Sequence, residues 1–141
     1  MDPLVLPCPG CRALNRVPSQ RLGDGPLCST CRTPLLGTPV ELDTAAFDRV
    51  AGKCSLPIVV DFWAAWCGPC RAMAPTFAAA ARDLAGRMVF AKVDTEAEPT
   101  LAARFQIRSI PCLVLLDGGR ELRRVTGALP KAHLEQWLLR G

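Results

Sequence analysis

The sequence predicts an α/β fold in which a mixed sheet carries helices on both faces, preceded by a short segment of different character. Three observations carry this prediction. Apolar β-branched runs alternate with helical patterns from residue 37 onward, the order of parallel β-α-β units. Near the C-terminus, the runs 112–116 and 121–126 meet at Asp117-Gly118-Gly119, a strong antiparallel hairpin signal. Residues 1–36 instead hold Pro3, Pro7, Pro9, Gly10, Pro18, Gly23, Gly25, Pro26 and Pro34, with little helical or strand periodicity. The chain thus divides into a mini-domain over 1–36 and a main domain over 37–141.

The first segment is too small to bury enough apolar surface to fold unaided and needs a staple. Cys8-x-x-Cys11 and Cys28-x-x-Cys31, with sixteen residues between them, supply one. Each pair forms a tight turn, and four soft ligands at this spacing favour a tetrahedral zinc ion. Two local disulfides or free thiols are the alternative. Arg12, Arg16, Arg21 and Arg32 decorate the segment, with solubility as their expected role rather than docking.

Residues 37–41 read as a linker passing into a first strand. Asp43 is placed to cap a helix beginning Thr44-Ala45-Ala46-Phe47. Pro57 to Trp63 reads as a central strand, interrupted by Asp61. A helix over 70–85 carries Met73, Phe77, Ala81 and Leu84 on one face and is kinked by Pro75. Met88 to Asp94 is a further strand, followed by a helix near Glu98 to Phe105. After the hairpin, Leu134, Trp137 and Leu138 mark the inner face of a last amphipathic helix.

Composition excludes several classes. The net charge of +4 is mild and shows no clustered basic face, so no nucleic-acid partner is expected. No stretch reaches the length of a membrane span, and the N-terminus has neither the basic flank nor the apolar run of a signal peptide. Eight cysteines without an export signal point to metal and redox chemistry in a reducing, cytoplasmic location.

The chemistry centres on Trp66-Cys67-Gly68-Pro69-Cys70, at the junction of the central strand and its helix. The positive end of a helix stabilises an adjacent anion, so Cys67 is expected to ionise readily and attack as a thiolate. Cys70 lies one helical turn on, close enough to close a short disulfide ring. The pair suggests two-electron thiol–disulfide exchange, with Cys70 resolving the mixed disulfide. A structural Cys-x-x-Cys or half a metal site is the bland alternative, and the other paired cysteines already complete their own set. Asp61, desolvated mid-strand, reads either as a proton acceptor for Cys70 or as a carboxylate satisfied by Lys92 on the neighbouring strand. Trp66, beside Cys67, reads as a substrate contact rather than a packing residue.

Asp61 through Cys70 resembles the active-site segment of the thioredoxin family almost residue for residue. Lys92-Val93-Asp94, Ile107-Arg108-Ser109-Ile110-Pro111 and Gly127-Ala128-Leu129 resemble further family motifs, so the likeness covers about 38–141. With the two N-terminal cysteine pairs, the chain is similar to zinc-ribbon-containing bacterial thioredoxins, the thioredoxin-two type. The resemblance implies the thioredoxin fold with strand order 1-3-2-4-5. It implies a monomeric protein-disulfide reductase that reduces protein disulfides and is itself reduced by thioredoxin reductase. It supports Asp61 as the base with Lys92 as electrostatic partner, and the Cys-Gly-Pro-Cys sequence, with Pro69 between the cysteines, marks reductases. It also implies a cis peptide at Pro111, against the trans isomer that is usual for X-Pro bonds. Trp66, Gly68, Ile110 and Gly127 would then form a flat apolar contact surface for an extended substrate.

Cys112 departs from the family pattern, where threonine follows the proline; it reads as an inert small hydrophobe that could lie near the dithiol. Cys54 reads as a surface loop residue and His133 as solvated. Three rival readings remain open: a disulfide oxidase or isomerase, a zinc-dependent binding module delivering the catalytic domain, and a redox-switched holdase.

Overall fold

The computed structural model describes residues 3–140; Met1, Asp2 and Gly141, at the two ends of the predicted domains, lie outside the described residues. The main body is a five-stranded sheet. Strand β3 (Val40–Glu41) leads into α1 (Thr44–Lys53), whose N-cap Asp43 accepts a hydrogen bond from the Ala46 amide at 2.7 Å. The central strand β4 (Ile58–Trp63) feeds α2 (Gly68–Asp83). Then come β5 (Val89–Asp94), α3 (Pro99–Arg104), β6 (Cys112–Asp117), β7 (Arg120–Thr126) and α4 (Lys131–Leu139). The order across the sheet is β3-β5-β4-β6-β7. Counted from β3, this is the expected 1-3-2-4-5. Strands β3, β4 and β5 run parallel, whereas β6 is antiparallel to β4 and to β7, as the hairpin at Gly118 and Gly119 requires.

Two apolar layers sandwich the sheet. Val60, Phe62, Val93 and Val114 face α1 and α3, with Phe47 and Leu101 among the buried partners. Val59, Phe90 and Leu113 face α2 and α4, meeting Met73, Phe77, Leu134 and Trp137. The alternation of Val59, Val60 and Phe62 between layers is the period of two expected of a strand buried on both faces. Phe62 and Phe77 are almost fully buried, and each contributes roughly 1.5–3 kcal/mol by leaving water. Helix α2 begins two residues before the expected start, because Cys67 itself acts as its cap, and Pro75 lies within it.

The N-terminal segment has more regular structure than its sequence suggests. Strands β1 (Leu4–Pro7) and β2 (Leu14–Val17) pair antiparallel, and a 3₁₀ turn spans Ser19–Asp24. Strands of four residues are too short to display alternation, and the prolines around them mask what remains. Order comes from two copies of one turn, each reading Cys-x-x-Cys-Arg. Arg12 and Arg32 adopt φ of 65° and 69°, and their amides donate to the carbonyls of Cys8 and Cys28 at 2.8 and 2.9 Å.

This segment rests on the main body. The Val5 amide donates to Ser55 Oγ at 2.7 Å, and the Ser55 amide returns a bond to the Val5 carbonyl at 2.9 Å. Arg49 of α1 donates to the Arg12 carbonyl at 3.1 Å. Leu56 and Val89 pack against the small core of Leu6, Val17 and Leu35. Cys54, expected at the surface, is buried in the core between α1 and the sheet, with only 6% exposure. As the C-cap of α1, with its amide on Val50, it continues the buried stripe of Phe47, Val50 and Ala51 at helical spacing into the main core.

Candidate active site and cysteine cluster

Cys67 and Cys70 form a disulfide, with Cα atoms 5.2 Å apart. Helix α2 supplies the geometry: Cys67 is its N-cap, and Cys67 Sγ accepts the Cys70 amide at 3.2 Å. When the disulfide opens, the same amide and the positive helix end stabilise a Cys67 thiolate. Both cysteines are buried, Cys67 4% and Cys70 2% exposed. Gly68 and Pro69, both exposed, cover little of the pair, and a Cβ on Gly68 would meet open space.

The other predicted contact residues converge here. The Ile110–Pro111 peptide bond is cis, and the Ile110 carbonyl oxygen lies 3.7 Å from Cys67 Sγ. Gly127, with φ of 97°, adopts a conformation that favours glycine, and its amide donates to the Pro111 carbonyl at 2.9 Å. Trp66 is 65% exposed. A depression of about 150 Å³ lies between Trp66, Thr95, Ile107, Arg108 and Ile110. The sequence assigns no role to Thr95 or Arg108. Arg108 stands within the Ile107–Pro111 motif, but Thr95 carries no sequence signal; its amide and hydroxyl both bond the Trp63 carbonyl, at 2.9 and 3.0 Å.

Asp61 is 1% exposed and lies opposite Lys92 in the β4–β5 register. By strand alternation both share the face of Val59 and Phe90, the face covered by α2, which carries Cys70. One carboxylate oxygen, Oδ1, is buried without a partner. Burial pushes the Asp61 carboxyl up to about 7, while the positive charge of Lys92 pulls the other way. Lys92 does not neutralise it by contact: its ammonium sits over the Trp63 ring at 4.5 Å. Cys112 clusters instead with Phe62 and Val114, on the face away from α2, and burial pushes its thiol up. That separates it from the dithiol side of the sheet. His133 is exposed, as expected.

The second cysteine group comprises Cys8, Cys11, Cys28 and Cys31, whose sulfurs all lie within 4.8 Å of one another. Backbone amides point at these sulfurs: Gly10 and Cys11 donate to Cys8, at 3.2 and 3.4 Å, and Thr30 donates to Cys28 at 3.4 Å. The Cys31 amide pulls the Cys28 thiol down to about 5. The Ala13 amide also pulls on Cys11, but burial and the neighbouring sulfurs of Cys28, Cys31 and Cys8 outweigh it and push that thiol up to about 11. A divalent ion lets all four sulfurs bind as thiolates. Four convergent sulfurs with amide donors therefore fit zinc.

The family model described as Thioredoxin matches residues 38–140, over the sheet and dithiol just described. The chain belongs to the thioredoxin family. A second model, described as Thioredoxin 2, N-terminal, a zinc ribbon, matches residues 7–33 and spans all four clustered cysteines. Thioredoxin C-3 of Corynebacterium nephridii is 45% identical over 136 residues, covering 96% of this chain and 93% of that protein. Thioredoxin 1 of Nostoc sp. is 37% identical over 103 residues, covering 73% of this chain and 96% of that protein. The bifunctional thioredoxin reductase/thioredoxin of Mycobacterium leprae is 38% identical over 98 residues, 70% of this chain and 21% of that protein. This thioredoxin is a thiol–disulfide oxidoreductase that reduces protein disulfides, with a zinc ribbon ahead of the catalytic fold. No helix among its described residues is long and apolar enough to cross a membrane.

Proposed function

We propose that this thioredoxin works as a monomer, with Cys67 as nucleophile, Cys70 as resolving thiol and Asp61 as proton acceptor. The observation that carries the assignment is the capping of α2 by Cys67 Sγ, which gives this sulfur and not Cys70 the helix-end stabilisation. The Cys67 thiolate attacks one sulfur of the substrate disulfide. A Cys67–substrate disulfide forms, and the other substrate sulfur leaves as a thiolate that takes a proton from water. The Cys70 thiol gives its proton to Asp61, directly or through a water, and attacks Cys67. The Cys67–Cys70 disulfide closes and the second substrate sulfur departs as a thiolate, which takes a proton from Asp61 or water, so two electrons pass to the substrate. Trp66, Gly68, Pro69, Ile110, Pro111 and Gly127 form the contact surface, and Lys92 limits how far the Asp61 carboxyl is raised.

Re-reduction needs an external two-electron donor. We assign it to an NADPH-dependent thioredoxin reductase; a reductase fused to a thioredoxin domain in the Mycobacterium leprae relative's name supports this pairing. Six cysteines outside the disulfide suit a reducing, cytoplasmic compartment.

Cys8, Cys11, Cys28 and Cys31 would hold one zinc, which when bound supplies a tetrahedral cross-link between the two turns. Elemental analysis of the reduced chain is expected to give one zinc per chain, and none after all four cysteines become serine. A metal-free reduced wild type would refute the site.

Residues 1–36 and 37–141 are read as two units with separable roles. A coupled assay with NADPH, thioredoxin reductase and either insulin or a small aromatic disulfide tests the whole reading. The full chain is expected to reduce both. The chain lacking residues 1–36 keeps small-disulfide reduction, while its Tm falls by several degrees because Leu56 and Val89 are uncovered. No reduction by the full chain would overturn the functional assignment, and loss of small-disulfide reduction on truncation would overturn the division of roles.

A further inference from the structure

We propose that the outer edge of β2, with the groove beside it, docks an extended acidic segment of the protein whose disulfide is reduced; the identity of that partner rests on the reductase reading above.

The edge follows from hydrogen-bond parity. Val5 bonds Ser55 with both its N–H and its C=O, so both point off the outer side of β1. In an antiparallel pair, a residue opposite one that points away also points away. Val5 lies opposite Arg16 and Pro7 opposite Leu14. Arg16 and Leu14 therefore direct their N–H and C=O groups outward, beyond β2. Neither backbone has a partner among the described residues. The β1 side of the hairpin is covered by Ser55, and the β2 side is open. Pro18, just past β2, limits the edge to a short segment. A strand added there can bond to Arg16 and Leu14.

A groove runs beside this edge. It has a volume of about 650 Å³ along β2, shares no lining residue with the dithiol site, and is lined by residues that include Val17, Leu27 and Leu35 with Arg16, Arg21 and Asp24. Leu27 is 43% exposed. Asp24 is the only acid among the described residues of the lining and faces Arg21 at 3.5 Å, in a pair that water screens. Arg16 makes no ion pair among the described residues. A strand with alternating apolar and acidic residues would satisfy the edge, the apolar wall and the unpaired Arg16 together. The wall is already fixed. Asn15 Oδ1 accepts from the amide and hydroxyl of Ser29, at 2.9 and 3.2 Å, tying β2 to the Cys28 turn. Little ordering is left for a ligand to induce.

Two cysteine-free ten-residue peptides test this, one alternating valine with glutamate and one alternating valine with lysine, titrated calorimetrically into the oxidised full-length chain after its zinc content is checked. The glutamate peptide is expected to bind at least about tenfold more tightly than the lysine peptide. Arg16→Pro removes an N–H that the hairpin does not use, and is expected to weaken binding about tenfold. Arg16→Glu is expected to reverse the preference, and it carries the test if Arg16→Pro loses zinc. Amide exchange at Leu14 and Arg16 slows with the glutamate peptide, while Asn15 and Val17 are unchanged. Oxidised protein cannot reduce anything, so failure here counts against the docking edge alone, and small-disulfide reduction by the same Arg16 variants separately checks the reductase reading. Equal binding of both peptides, no binding, or binding indifferent to both Arg16 substitutions would overturn the proposal.

Discussion

Cys67→Ser is expected to abolish disulfide reduction, lowering turnover by at least roughly 10³-fold, because no other thiol caps α2. Cys70→Ser should fail differently. Its Cys67 keeps the cap position and attacks, but nothing resolves the product, so substrate accumulates on Cys67 as a mixed disulfide. Mass spectrometry of each variant after incubation with insulin separates the two: no adduct for Cys67→Ser, one adduct for Cys70→Ser. Adducts on Cys70 in the Cys67→Ser variant, with turnover near wild type, would reverse the assignment. Cys112 does not substitute for either thiol, since its side chain lies in the opposite layer of the core.

Asp61→Asn should produce two effects of opposite sign. In the unfolded chain the carboxyl has its ordinary value of 3.8, whereas in the fold it is raised to about 7. Between these values the folded state holds more protons than the unfolded state, so stability falls as pH rises through that window. Above about pH 7 the full liability is present, on the order of 4 kcal/mol. Asparagine carries no charge, so the variant should be more stable than wild type by roughly 1–4 kcal/mol at pH 8 and about equal below pH 4. Urea unfolding at the two pH values measures this. The same change removes the proton acceptor for Cys70, so release of the mixed disulfide should slow by roughly 10²-fold while attack by Cys67 is little affected. Rapid-mixing kinetics separates the steps. Equal slowing of both, or a loss of stability at pH 8, would make Asp61 a structural partner of Lys92 instead of a proton acceptor.

The candidate site was legible where chemistry is local. Cys67 and Cys70 announce themselves because strand, cap and helix follow one another within a few residues. The cysteine turns do the same, each closed by its own amides. Asp61 was visible as a charge inside an apolar run, but its state was not. Sequence placed desolvation against Lys92 without deciding between them; the sheet decides, because the ammonium is drawn over Trp63 and leaves Oδ1 unpartnered. Cys54 was misread as a loop residue because it lies just past the last turn of α1, although it continues that helix's stripe of Phe47, Val50 and Ala51 into the main core. Thr95 and the open edge of β2 were missed because both are defined by what lies across a gap in the chain.

The sequence by itself determined the α/β class, the parallel core with its final hairpin, the dithiol at a helix start and the four-sulfur staple. These depend on short-range patterns of polarity, turn residues and cysteine spacing, which the backbone reads within one or two elements. Only the tertiary structure decided which faces the buried groups share. It put Asp61 and Lys92 beneath α2 and Cys112 on the other side, since one residue of register exchanges the faces of a strand. It also laid Val5 against Ser55, closing one edge of the N-terminal hairpin and leaving the other open, a choice made by packing between residues 50 positions apart, where no local pattern reaches.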